Sequence, residues 1–232
     1  MLGKVIKKHE LLKFVASALD GQLDQTGVLL YSSHATIRPG EIYFLGLNPG
    51  GQGGPSLRER LAILLSQEHN AYFDEVWENR GGSYDKGEAP LQRRVKWLLS
   101  ELGFNPRDVL STNLIFMQSR DASGVSLEQA ELCWPVHEVL LNIVRPRIIL
   151  TFGNSSSSRN GFSAYSYLHT LYGKGCQRYA PSGHGNWYIK GFNAHMPWGA
   201  VFVAGLPHLS RYDPINKRDV VDWIKSGGSE NT

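Results

Sequence analysis

The chain is poor in cysteine, with only Cys133 and Cys176 among its 232 residues. Two thiols fall short of the four needed for an iron–sulfur cluster or a four-thiolate zinc site. They also show no disulfide framework, so a reducing compartment is expected. No run reaches the roughly 18 apolar residues of a membrane-spanning helix, and no membrane partner is expected. The first ten residues, with Lys4, Lys7, Lys8, His9 and Glu10, lack the apolar centre of a secretory signal. A soluble, cytoplasmic protein is the expectation. The eight histidines fall into no metal-ligand spacing, so no metal is expected. The Gly-Lys-Ser/Thr ending of a phosphate-binding loop is missing, and a dinucleotide fingerprint is poorly matched. No Gly-x-Ser-x-Gly elbow surrounds the serines at 155–158. There is no internal repeat. Charge of one sign is in small excess, 24 Lys and Arg against 21 Asp and Glu, for a net +3. That balance permits a nucleic-acid partner without requiring one.

What is present suits one compact α/β domain over residues 1–232, with a helical N-terminal extension at 1–40 and a flexible tail at 226–232. Apolar runs at 41–46, 109–116, 147–152 and 200–205 read as buried strands. Helical spacing marks 4–19, 57–65, 91–102, 127–144 and 219–225. A short strand at 29–30, a short helix near 73–77, a Ser/Gly-rich loop at 154–161 and a hairpin within 179–197 complete the reading. The alternation predicts a three-layer α/β/α fold around a central, mostly parallel four-stranded sheet. Such sheets bind ligands beyond the carboxyl ends of their strands. The segments of interest are therefore 46–54, 113–120, 153–158 and 205–212.

The first of these reads Gly46-Leu47-Asn48-Pro49-Gly50-Gly51-Gln52-Gly53-Gly54. Its five glycines expose backbone N–H groups to a polar ligand, and Asn48 offers an amide that donates and accepts. A glycine-rich surface turn is the alternative reading. Three further segments follow in order: Ser111-Thr112-Asn113-Leu114-Ile115, Arg145-Pro146-Arg147-Ile148-Ile149-Leu150-Thr151-Phe152-Gly153, and Leu206-Pro207-His208-Leu209-Ser210-Arg211. Together, over roughly 41–212, they resemble the uracil-DNA glycosylase superfamily. The nearest branch is the mismatch-specific and single-strand-selective one, whose first motif is Gly-x-Asn-Pro-Gly.

The resemblance implies a base-excision-repair enzyme acting as a monomer. It would flip a damaged base out of DNA and hydrolyse the N-glycosidic bond, leaving an abasic site without metal or cofactor. Asn48 would orient the attacking water, since an amide is no general base at neutral pH. Asn113 would read the edge of the base, with Gly46, Leu47, Pro49 and Gly50 lining the same pocket. His208 would donate to the departing base, whose negative charge needs such donors. It stands after Pro207, whereas the family's polar residue stands before the proline. Leu209 would wedge into the gap left by the flipped base, with Ser210 and Arg211 on flanking phosphates. The family's stacking aromatic is missing a dozen residues after Asn48, where Arg60 and Leu61 stand; Phe73 or Tyr72 would substitute. No lysine of these motifs is placed for a Schiff base, so no lyase step is expected. Arg93, Arg94 and Lys96 form either a solvated helix face or a phosphate contact. Two rival readings use the same strand-end pocket: a module that binds a modified base without cleaving it, and an enzyme acting on free nucleosides or nucleotides.

Overall fold

The computed structural model describes residues 8–79, 81–155 and 162–229. In chain order it contains helix α1 (Lys8–Ala18), strand β1 (Ile42–Gly46), helices α2 (Leu57–Ile63) and α3 (Ala71–Asp74), and the two-residue strands β2 (Glu78–Asn79) and β3 (Gly82–Ser83). Helix α4 (Pro90–Glu101), strand β4 (Leu110–Asn113), helix α5 (Leu127–Val144) and strand β5 (Ile148–Phe152) follow. Helix α6 (Ala164–Tyr172), strands β6 (Arg178–Pro181), β7 (Tyr188–Met196) and β8 (Gly199–Leu206), and helix α7 (Arg218–Lys225) close the chain.

The four apolar runs become β1, β4, β5 and β8. They lie side by side in the order β4-β1-β5-β8, all parallel. Every residue of β1, β4 and β5 is buried, as expected of strands covered on both faces. Tyr43, Leu45 and Ile149 point to one face, where Leu11, Leu140 and Leu168 of α1, α5 and α6 pack. Phe44, Leu150 and Ala204 point to the other, against Leu98 and Leu99 of α4 and Ile224 of α7.

The sheet nevertheless has six strands where four are predicted. The hairpin read at 179–197 does form, as β6 and β7, but it adds antiparallel to the edge of β8. Phe192 and Ala194 explain this: they are apolar on the α6 side and need the sheet's continuation to be buried.

Local signals set the helix limits. Ser56 with Glu59, and Ser126 with Gln129, form reciprocal caps that start α2 and α5. Arg145 ends α5 in the left-handed conformation (φ 51°), just before Pro146. β4 is shorter than the predicted 109–116. Its continuation instead follows the loop after β1, with Leu114 N–H on Gly46 O and Ile115 N–H on Leu47 O. Leu29 and Leu30 form no strand, though the N–H groups of Val28 and Tyr31 donate to Phe116 O and Ser111 O. The read tail is partly folded: Gly228 is buried against Phe202 and Trp223, and Arg178 donates to Gly227 O. Residues 230–232, most of the loop at 154–161 and the first turn read at 4–7 lie outside the described residues. Among the described residues, no helix is long and apolar enough to cross a membrane.

Candidate functional site at the strand ends

The strand order reverses direction at β1: the chain passes from β1 outward to β4, then back across to β5. Such a switch point opens a crevice at the carboxyl ends of the strands. Gly46 lies at that point. A Cβ added there would stand 2.0 Å from Asn113 Oδ1 and 2.7 Å from Phe152 Cζ. Two side chains from the neighbouring strands therefore close over the Gly46 backbone, and only glycine leaves them room.

Asn48 follows two residues later. Its Nδ2 donates to Pro49 O at 2.8 Å and to Ser119 Oγ at 3.0 Å. Pro49 O can only accept, so the amide nitrogen must face it and the orientation of the side chain is determined. Among the described residues, no donor reaches Asn48 Oδ1. The segment after β4 braces this loop: Ser119 N–H donates to Pro49 O, and Gln118 Nε2 donates to Gly50 O. Leu47 is half-buried in the α1–α5 core, Pro49 is buried, and Gly50 is exposed.

Asn113 is 5% exposed, and its side chain lies beside the Tyr31 hydroxyl. Burial is the main cause that raises Tyr31 to about 12, so the phenol stays neutral. Tyr31 stacks on Tyr72, with ring centroids 5.8 Å apart. Tyr72 in turn meets Phe44 edge-on, and Phe44 stacks on Phe152 at 5.1 Å.

His208 joins from the other side. Its ring meets the Phe152 ring at 5.3 Å, and its Cδ2 would lie 3.3 Å from a Cβ on Gly153. Phe152 thus bridges Gly46 and His208. Nδ1 of His208 accepts the Ser210 N–H at 3.2 Å, and Ser210 Oγ lies 2.7 Å from it. With Nδ1 accepting, the neutral ring carries its proton on Nε2. Although the residue as a whole is exposed, its ring lies against Phe152 and Gly153. Desolvation, and secondarily the Arg211 charge, push it down to about 4. At neutral pH His208 is an uncharged donor.

The loop carrying His208 is tied from α4. Arg94 donates from Nη1 to Leu209 O (2.8 Å) and Ser210 O (3.1 Å), and its Nη2 lies 3.5 Å from Asp213. Lys96 binds Gly87 O and Glu88. These two cations thus serve the fold, whereas Arg93 is exposed.

Two assigned roles change. Phe73 is not beside Asn48 or Asn113: its ring sits between Arg107 (4.2 Å) and Lys96 (5.2 Å) against the α4 core. Leu209 is wholly buried in that same core, so its side chain is not at the surface as a wedge. Ser210 and Arg211 are exposed beside it. Three residues at the site were missed from the sequence: Tyr31, Ser119 and Phe152. Phe152 carried a signal, as the aromatic that ends a buried strand immediately before a glycine, and Ser119 lay within the strand-end segment 113–120, whereas Tyr31 carried none.

Among the described residues, no group of three His, Cys, Asp or Glu side chains is placed to hold a metal. Comparison with protein-family models and with curated proteins returned no match.

Proposed function

We propose that the protein is a monofunctional DNA glycosylase that hydrolyses the N-glycosidic bond of uracil, or a related damaged base, in DNA. The single observation carrying this reading is the Asn48 amide at the end of β1, whose nitrogen is held by Pro49 O and Ser119 Oγ. A fixed acceptor at a strand end orients a water molecule and does not deprotonate it. Asn113, buried beside Tyr31, supports recognition of the base edge, because an amide accepts from N3–H and donates to a carbonyl. The Nε2–H of His208 supports charge on the leaving base. In the reaction the glycosidic bond breaks toward an oxocarbenium-like sugar, and the base departs with the bonding electrons. Water adds to the sugar carbon and releases its proton, giving an abasic site and free base.

The burial of Leu209 favours a second reading, in which the same crevice takes a base without opening a duplex. That protein would be either a non-cleaving base-binding module or an enzyme on free nucleosides. One assay separates them. An end-labelled oligonucleotide with a single uracil, incubated with the protein and treated with alkali, is expected to break at that position. Binding without breakage supports the module, and turnover of free deoxyuridine alone supports the nucleoside enzyme. Asn48→Ala is expected to lower cleavage about 100-fold or more with DNA binding retained. Equal losses of binding and cleavage contradict the water-positioning role.

A further inference from the structure

Burying an imidazole in an aromatic core costs free energy unless both ring nitrogens find partners. His137 of α5 is the one fully buried histidine among the described residues, and the rings of Phe116 and Trp134 stack on it at 4.9 and 5.6 Å. Its partners are the Leu114 carbonyl, 3.0 Å from Nε2, and the Tyr43 hydroxyl, 2.8 Å from Nδ1. A carbonyl can only accept, so Nε2 carries the proton, Nδ1 accepts and the hydroxyl donates. Tyr43 therefore fixes which ring nitrogen serves Leu114.

Both ends of this chain of bonds lead to the crevice. Tyr43 lies on β1, the strand that ends at Gly46. Leu114 directly follows Asn113, and its N–H donates to Gly46 O at 2.9 Å. The bonds thus run from β1 through α5 to the end of β4 and back to β1. Leu114 is wholly buried, and beyond it Ile115 N–H donates to Leu47 O. After Leu47 the chain enters Asn48-Pro49, and proline has no N–H to offer a neighbouring carbonyl. The donor for Leu114 O comes instead from the helix.

Asn113 has little slack. Its Oδ1 packs over Gly46 so closely that a Cβ there would stand 2.0 Å away, and Phe152 closes over the same glycine. Asn113 and Leu114 share a peptide bond and are both buried, so a turn of the Leu114 carbonyl toward another donor shifts the Asn113 amide as well. A buried carbonyl left without a donor has reason to turn, because the unmade bond is costly.

We propose that His137 is a positioning residue for the crevice: by holding Leu114 O from α5, it sets the place of the Asn113 side chain over Gly46. The proposal rests on the reading of Asn113 as the residue that takes the base edge, and deepens it by naming the group that holds Asn113 in place.

Three variants test it. His137→Leu removes the donor, His137→Gln keeps an amide donor for Leu114 O, and Leu140→Ala loosens the core of the same helix without removing a hydrogen bond. Each is studied below its unfolding temperature with two readouts. Single-turnover cleavage of a uracil oligonucleotide, with DNA affinity measured alongside, reads the site. Amide hydrogen exchange at Leu114 and Ile115, relative to Ile149 and Leu150 of β5, reads the backbone and needs no cleavage. His137→Leu is expected to cleave about tenfold or more slowly at unchanged affinity, and to quicken exchange at Leu114 and Ile115 about tenfold or more. His137→Gln is expected to regain most of both, and Leu140→Ala to lower Tm with neither change. His137→Leu behaving like Leu140→Ala overturns the proposal, as does a glutamine variant no better than leucine. Nitrogen-15 shifts of the His137 ring need no variant: the proton is expected on Nε2, and a proton on Nδ1 overturns the proposal. A parent that cleaves nothing, with the exchange response intact, removes the glycosylase reading and leaves His137 holding the Asn113 backbone. A parent that cleaves, with rate and exchange unmoved by His137→Leu, does the reverse.

Discussion

Replacing Gly46 by alanine tests the construction of the crevice directly, and its sign is diagnostic. Gly46 does not sit at positive φ, so its backbone accepts alanine. In open space the exchange would stabilise the fold by about 0.4–1 kcal/mol, because alanine has fewer unfolded conformations to lose. The added Cβ would instead meet Asn113 Oδ1 at 2.0 Å and Phe152 Cζ at 2.7 Å, where ordinary contact starts near 3.4 Å. Asn113 and Phe152 are 5% and 6% exposed, so neither can simply swing into water. Overpacking of this kind costs about 1–3 kcal/mol. The net expectation is a loss of about 1–2 kcal/mol. At about 2–4 °C per kcal/mol for a chain of this size, Tm falls by about 2–8 °C. Relief of the contact requires Asn113 to move by about 1.4 Å, and displacements near 1 Å cost on the order of 100-fold in rate. Calorimetry measures the first effect, and single-turnover cleavage of a uracil oligonucleotide the second. An unchanged or raised Tm would refute the packing argument whatever the protein's activity. A lowered Tm with full cleavage would detach Asn113 from the reaction.

Acid should unfold the protein partly through His137. This residue is fully buried, donates from Nε2 to Leu114 O at 3.0 Å, accepts the Tyr43 hydroxyl at Nδ1, and is pushed by burial down to about 4. Its folded value lies below its unfolded one, so the stability it contributes is present above about pH 6.5 and is lost as pH falls toward 4, by about 3 kcal/mol. His137→Gln should flatten denaturation free energy against pH in that window, and an unchanged slope would contradict the assignment. For His208 the neutral ring is the donor, so cleavage should persist as pH rises from 6 to 8; a fall across that range would indicate an imidazolium donor instead. Ser119→Ala removes one of the two bonds on the Asn48 amide, and cleavage should drop about 5–10-fold with KM little changed. Tyr31→Phe keeps the stack on Tyr72 but removes the hydroxyl beside Asn113; base selection should weaken by about tenfold, measured as the ratio of cleavage of uracil to that of competing bases.

Much of the frame was legible along the chain, because its signals are local. Strands β1, β5 and β8 are mainly apolar runs, β4 (Leu-Ser-Thr-Asn) lies between the apolar Val109 and Leu114–Phe116, and α2 and α5 begin at caps written within four residues. The glycines and Asn48 lie where a buried strand stops, which marks a strand-end site in any parallel sheet. The crevice itself was only half legible. The partner of Asn48 is Ser119, 71 residues away, and the support of the His208 loop is Arg94, 115 residues from Leu209. Spacing along the chain says nothing of such pairs.

By itself, then, the sequence determined the α/β layering and the place of Gly46, Asn48 and Asn113 at the strand ends, since periodicity and turn chemistry act over a few residues. The tertiary structure decided which side chains meet there. It moved Phe73 and Leu209 into the α4 core, brought Phe152 and Tyr31 to Gly46 and Asn113, and extended the sheet to six strands. Burial is settled by the whole packed chain: an apolar residue in a motif goes inward whenever a neighbouring helix leaves it a place, as α4 does for Leu209.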